Sequence, residues 1–256
     1  MTDRMPVLFI GHGSPMNAIE ENEFSRAWSA TGKALPRPKT ILCVSAHWES
    51  EGTQVTGMEK PKTIYDFYGF PPELYAARYP APGSPELAQR VRDLVKPAAV
   101  GLDQAWGLDH GAWSVLTRLF PQADVPVVQL SLDVNKSPQE HYDLGQQIKA
   151  LREEGVLILG SGNIVHNLRM LNWDDAAFDW AVEYDAKVKQ WILEHDHESI
   201  LQYHKHGQAA ALAINSAEHY KPLLYALGAG DPDEPVSFFA EKVTLGSISM
   251  RSLQIG

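Results

Sequence analysis

Cysteine is almost absent from this 256-residue chain. The single Cys43 lies in the apolar run Ile41-Leu42-Cys43-Val44, so no internal disulfide can form, as expected of a reducing, cytoplasmic setting. No stretch approaches the ~20 apolar residues of a membrane span. The opening Met1-Thr2-Asp3-Arg4 leads into an apolar run without the pattern of a secretory leader. Basic clusters are missing too. With a net charge of -10, a pI near 5.4 and scattered Lys and Arg, nucleic acid and anionic membrane are poor partners, and a small ligand fits better. There is no G-x-G-x-x-G, no G-x-x-x-x-G-K-[ST], no G-x-S-x-G and no H-E-x-x-H, which removes the common nucleotide, nucleophile-elbow and zincin templates. Repeats, low-complexity linkers and charge blocks are absent as well, so residues 1–256 read as a single domain. Nothing in the sequence sets an oligomeric state.

What is present is an alternation. Short apolar runs at 6–10, 40–46, 126–132, 156–160 and 242–249 have the near-continuous hydrophobicity of strands covered on both faces. Between them lie helical patterns. Ser84-Pro85 opens one, with Leu87, Val91, Leu94 and Val95 on its apolar face. Ser137-Pro138-Gln139-Glu140 opens another as a capping box, with Leu144, Ile148 and Leu151 on its stripe and Gly155 as its stop. A longer helix is expected from about Asp174 and Asp175 to His195, buried through Phe178, Ala181, Val182, Val188, Trp191 and Ile192, and a further one near His219. The fold class is therefore α/β, with a central, largely parallel sheet flanked by helices.

The stretch 58–83 breaks the alternation, crowding Pro61, Tyr65, Phe67, Tyr68, Phe70, Tyr75 and Tyr79 into an irregular segment of the kind that is usually functional. With Trp113, it suggests a flat ligand.

Ligands of open α/β sheets bind beyond the carboxyl ends of the strands. His12 and His47 follow two apolar runs directly, and Gly160-Ser161-Gly162-Asn163 leads from a third to His166. Ala211-Leu212-Ala213-Ile214 leads to Glu218-His219, and Gly107-Leu108-Asp109-His110-Gly111 adds a glycine-flanked fifth case. One such histidine is more often a satisfied core or surface residue. Several in equivalent places point instead to a mononuclear metal site of the zinc or Fe(II) type, with positions left open for water, substrate or dioxygen. His195, His197, His204 and His206 lie in a polar stretch and are expected to be solvated, as is His141 in an early helical turn.

The motifs Gly11-His12-Gly13-Ser14-Pro15-Met16, Ser45-Ala46-His47-Trp48-Glu49, Leu108-Asp109-His110-Gly111-Ala112-Trp113, Gly160-Ser161-Gly162-Asn163 with His166-Asn167, and Asn215-Ser216-Ala217-Glu218-His219 through Leu223 occur in that order. Together they resemble the class III extradiol ring-cleavage dioxygenases, in the 4,5-DOPA extradiol dioxygenase branch, across nearly the whole chain. The resemblance implies a non-haem Fe(II) enzyme that opens the ring of a substituted catechol such as DOPA with O2, giving a semialdehyde. It implies metal ligation by His12 and His47, with His219 as the third ligand and Glu218 in reserve. It implies His166 as acid/base and possible further ligand, and His110 beside substrate and oxygen. Zinc(II) can occupy the same nitrogens in a purified sample. Two other readings stay open: a zinc hydrolase on the same histidines, and a non-enzymatic binding or signalling relative.

Overall fold

Strands covered on both faces bury every side chain, whichever way it points, and this chain shows that pattern at its centre. The computed structural model describes residues 4–97, 99–174 and 176–256. Its strands are β1 (Val7–Gly11), β2 (Thr40–Ser50), β3 (Gln54–Thr56), β4 (Gly101–Asp103), β5 (Val127–Asp133), β6 (Val156–Gly162), β7 (Val236–Phe239), β8 (Val243–Thr244), β9 (Ile248–Ser249) and β10 (Ser252–Ile255). Eight form one sheet in the order β4-β3-β5-β2-β6-β1-β10-β7. The central strands β5, β2, β6 and β1 are parallel. β10 and β7 extend the sheet antiparallel at one edge, and β3 runs antiparallel to β5 at the other.

The helices are α1 (Glu23–Ala34), α2 (Pro72–Ala76), α3 (Pro85–Leu94), α4 (His110–Leu119), α5 (Pro138–Ile148), α6 (Asp179–Leu193), α7 (His197–Leu201), α8 (Gly207–Ala213) and α9 (Lys221–Ala229). Alternate strand residues feed two cores. Leu8, Ile10, Ile41, Cys43 and Leu159 pack with Trp28 of α1 and Trp113 of α4. Phe9, Leu42, Val44 and Ile158 pack on the opposite face with α3, α5, α6 and α9. Cys43 is a buried free thiol, as its apolar run implies. Among the described residues, no helix is long and apolar enough to cross a membrane.

The start signals of α3 and α5 act as read. Ser84 accepts a hydrogen bond from the Leu87 amide, and Ser137 and Glu140 close a reciprocal capping box. A short 3₁₀ stretch, Lys149–Glu154, carries α5 on to Gly155, which ends it at a φ of 87°.

Several expectations need correcting. The run 242–249 is two short strands, β8 and β9, paired in a hairpin off the main sheet, because Leu245 and Gly246 adopt positive φ and reverse the chain. Ala211–Ala213 end α8, with Ile214 as its C-cap, so the run before His219 is helical rather than a strand, since alanine favours the helix. α6 begins at Asp179, later than expected. Phe178 is its N-cap and Val182 is exposed; of the two residues expected to start it, Asp174 precedes the helix and Asp175 lies outside the described residues.

His141 is not solvated. It is fully buried between α5 and α9, its Nδ1 3.0 Å from the Tyr225 hydroxyl. Of the other four, His195 and His204 are exposed. His197 and His206 are half-buried, against the Tyr142 hydroxyl at 2.8 Å and the Trp191 ring respectively.

Burial, reinforced by the Lys221 charge, pushes His141 from 6.5 down to about 4. The unfolded chain therefore binds that proton more readily than the folded one, and the stability this neutral imidazole confers is lost as pH falls from 6.5 through about 4. The full shift corresponds to roughly 3 kcal/mol. In urea titrations across this range, His141→Asn should show a flatter pH dependence of unfolding free energy by that order. An unchanged slope would refute the assignment.

Candidate metal centre

Each histidine reaches the same edge of the sheet by a different local device. β1 delivers His12 directly after Gly11. β2 keeps register with β5 up to Val44 and regains it only at Glu49, so His47 sits in an irregular stretch of the kind that re-aims a side chain. His110 is the first residue of α4, behind its N-cap Asp109. The buried Asp109 carboxylate accepts from the Ala112 amide, from the Ser45 hydroxyl at 2.6 Å and from Gln129 Nε2 at 2.7 Å, which ties α4 to β2 and β5.

His219 comes from the turn before α9. A Cβ on Gly162 would fall 2.1 Å from the His219 carbonyl oxygen, and one on Gly160 would fall 2.5 Å from that of Pro222. Only glycine lets this turn lie so close against β6. Ser161, between them, points the other way, toward His12. Asn163 donates its amide to the His219 carbonyl at 2.8 Å, and His166 hangs from the Ala213 carbonyl at 2.9 Å.

The ring centroids of His12, His47 and His219 form a nearly equilateral triangle, with sides of 5.0, 5.2 and 4.9 Å. His110 lies 3.9 Å from His47 but 5.7 Å from His12. His166 stacks flat on His219 at 3.4 Å. His12, His110 and His219 are buried; His47 and His166 are half-buried. By donor-atom spacing alone, His12, His47 and His110 form one group able to hold a metal, and His166, Glu218 and His219 a second.

Hydrogen-bond inventory fixes the tautomers of His12 and His219. Ser161 donates its one hydroxyl proton to the Gly111 carbonyl at 2.5 Å, because a carbonyl can only accept. Ser161 must then accept from His12 Nδ1, 3.0 Å away, so His12 carries its proton on Nδ1 and its lone pair on Nε2. The Glu218 carboxylate imposes the same tautomer on His219 through an Nδ1 contact of 3.0 Å. His47 Nδ1 faces the Asp66 carboxylate at 3.5 Å, and its Nε2 lies 3.1 Å from His12 Nε2.

With His12 Nε2 unprotonated, His47 Nε2 either donates its proton across the 3.1 Å or, protonated instead on Nδ1 toward Asp66, sets a second lone pair against the first, an arrangement that a cation between them relieves. Ligation at ~2.0–2.1 Å per nitrogen sets neighbouring donors roughly 3 Å apart and ring centres about 5 Å apart; the His12–His47 pair meets the first spacing, and the ring centres of His12, His47 and His219 meet the second. The donor set fits a borderline divalent metal.

Electrostatics agree with a neutral pocket. Burial, then mutual repulsion among the rings, holds His12 and His219 well below the ordinary histidine range. Burial and the neighbouring His110 push His47 down to about 4. Burial does the same to His166, against the opposing pull of Glu218. At neutral pH these rings are neutral imidazoles rather than cations.

Comparison with known proteins matches residues 6–252 to the family described as the catalytic LigB subunit of aromatic ring-opening dioxygenase. The chain belongs to the LigB family. Among LigB-type relatives, an Escherichia coli K12 protein named 4,5-DOPA dioxygenase extradiol is 48% identical over 99% of this chain and 95% of its own length. A Beta vulgaris protein of the same name is 39% identical over 86% of this chain and 85% of its own. A crystal structure of an E. coli K12 protein described as uncharacterized superposes with a TM-score of 0.87 at 45% identity, covering 99% of this chain and all of that one.

The five histidines singled out in the sequence thus share one pocket of a LigB-family fold, although His110 and His219 arrive from helix starts rather than strand ends. Sequence reasoning missed Asp66, which lies 3.0 Å from His110 Nδ1 and accepts the His110 amide at 2.9 Å. The one available signal was an acidic residue between Tyr65 and Phe67 in an otherwise apolar segment. It also missed the part played by Ser161 behind His12.

Long-range proton–nitrogen NMR of the metal-free protein near pH 7 should find Nδ1–H tautomers at His12 and His219. Titration should leave His47 and His166 neutral until about pH 4. An Nε2–H signal at His12 would contradict the Ser161 relay.

Proposed function

We propose that residues 1–256 act as one catalytic domain, a non-haem Fe(II)-dependent extradiol dioxygenase that opens the ring of a substituted catechol of the 4,5-DOPA type with O2. The observation that carries this reading is the set of Nε2 atoms turned inward by His12 and His219, with His47 Nε2 beside that of His12. His12, His47 and His219 hold the metal. Family membership and the names of the relatives supply the reaction class.

Glu218 holds the outer nitrogen of His219, which favours His219 as third ligand and gives the carboxylate an orienting part. Bound there, iron(II) supplies Lewis acidity toward the catechol oxygens and a redox change that zinc(II) lacks, although zinc fits the same nitrogens.

His166, neutral at working pH and stacked beside His219, takes a phenolic proton. His110 lies across the pocket against His47, with the Phe67 ring edge-on at 5.6 Å, and moves a proton at the oxygen side of the substrate. Tyr65, Phe67 and Trp113 form an aromatic wall that suits a planar ring and keeps water out. Net charge of -10 and the lone buried thiol favour a small-molecule enzyme of the cytoplasm.

Anaerobic loading with Fe(II), followed by a catechol panel read by oxygen electrode and absorbance, tests the reading. Oxygen uptake matched to a yellow semialdehyde supports it. Hydrolysis of an ester or amide without oxygen uptake would replace it with a hydrolase. His12→Ala and His219→Ala should lose the metal. His166→Ala should retain it and turn over ~10²–10⁴-fold more slowly, and full activity of that variant on saturating catechol would remove His166 from its part.

A further inference from the structure

The Asp66 carboxylate faces two imidazoles from two separate elements, His47 of β2 and His110 of α4. Its Oδ1 accepts the His110 amide at 2.9 Å and faces His110 Nδ1 at 3.0 Å, off the axis of a good hydrogen bond. Its Oδ2 faces His47 Nδ1 at 3.5 Å. Burial works to raise the Asp66 carboxyl, but the His110 contact and the charges of both rings outweigh it and hold it below the usual carboxylate range.

The residue is fixed by the aromatic segment that carries it. Trp113 Nε1 donates to the Ile64 carbonyl at 2.9 Å, and Ile64 donates its amide to Leu108 at 2.7 Å. The Tyr65 hydroxyl donates to Ala77 at 2.6 Å. Tyr65 and Phe67, on either side of Asp66, both lean on Trp113, and Phe67 also meets His110.

From this geometry we infer that Asp66 is a positioning residue: it presents a carboxylate to the outer nitrogens of His47 and His110, so that both rings turn Nε2 inward and the aromatic segment becomes the outer layer of the metal centre. The inference rests on the ligand set proposed above. Without the carboxylate, His47 Nδ1 has no acceptor to hold its proton outward, and the ring is free to turn or to change tautomer. Outer partners of this kind typically set metal affinity by roughly 10–100-fold. Because linkage is reciprocal, metal binding must in turn steady the segment that holds Asp66.

Cobalt(II) affinity, measured by competition with a chromogenic chelator, and hydrogen exchange of residues 60–80 with and without cobalt test this on the full chain. Asp66→Asn should lose roughly 10–100-fold in affinity. Asp66→Glu should recover part of that loss, and Tyr68→Ala, an exposed neighbour on the same segment, should lose none. Exchange over residues 60–80 of the unmutated chain should slow on adding cobalt. An Asp66→Asn affinity within about twofold of the original, an equal loss in Tyr68→Ala, or exchange indifferent to cobalt each overturns the inference and leaves the ligand set standing. An unmutated chain that takes up no cobalt overturns both. If Asp66→Asn does not fold, the exchange measurement on the unmutated chain still decides.

Discussion

Two imidazole nitrogens facing each other across 3.1 Å, at least one of them stripped of its proton by the hydrogen bonds behind it, impose the constraint on which this pocket depends. With His47 protonated on Nδ1, toward Asp66, two buried lone pairs would face each other without a donor, an arrangement that asks for a cation. It persists because the outer nitrogens are committed elsewhere: His12 to Ser161, His219 to Glu218, His47 toward Asp66. The chemistry of the centre is therefore decided one bond outward from the rings themselves.

The sheet supplies that outer layer. Alternation along β6 turns Ser161 to one face, where it holds His12, and leaves the glycines at 160 and 162 on the other, where α9 and the His219 turn come into contact. A single three-residue stretch thus serves two pocket histidines from opposite faces. β2 does comparable work by losing register with β5 around His47, while Ser45, just before it, anchors the saturated carboxylate of Asp109 at the head of α4.

Burial then sets the charge state. Four of the pocket histidines are held below their ordinary range, so at neutral pH the pocket presents uncharged imidazoles. Asp66 and Glu218, both only partly buried, supply the negative charge, and both meet outer nitrogens. The aromatic segment adds a wall of ring edges and faces over the same pocket.

The sequence by itself determined the central strands, the caps of α3 and α5, and the five histidines of the pocket, because doubly covered strands must be apolar throughout and cap chemistry is local. The resemblance carried by the motifs around those histidines set the family. It left the short strands β3, β4, β7 and β10 unannounced, since segments of three or four residues carry little periodic signal. His141, three residues before Leu144 and seven before Ile148, shares the buried stripe of α5, where its spacing outweighs its polarity. Only the tertiary structure decided that His219 comes to rest against Gly162 and that Asp66 reaches two rings, one 19 and the other 44 positions away. Contacts between distant segments depend on how helices seat on the sheet, and no local pattern encodes which outer nitrogen will find which oxygen.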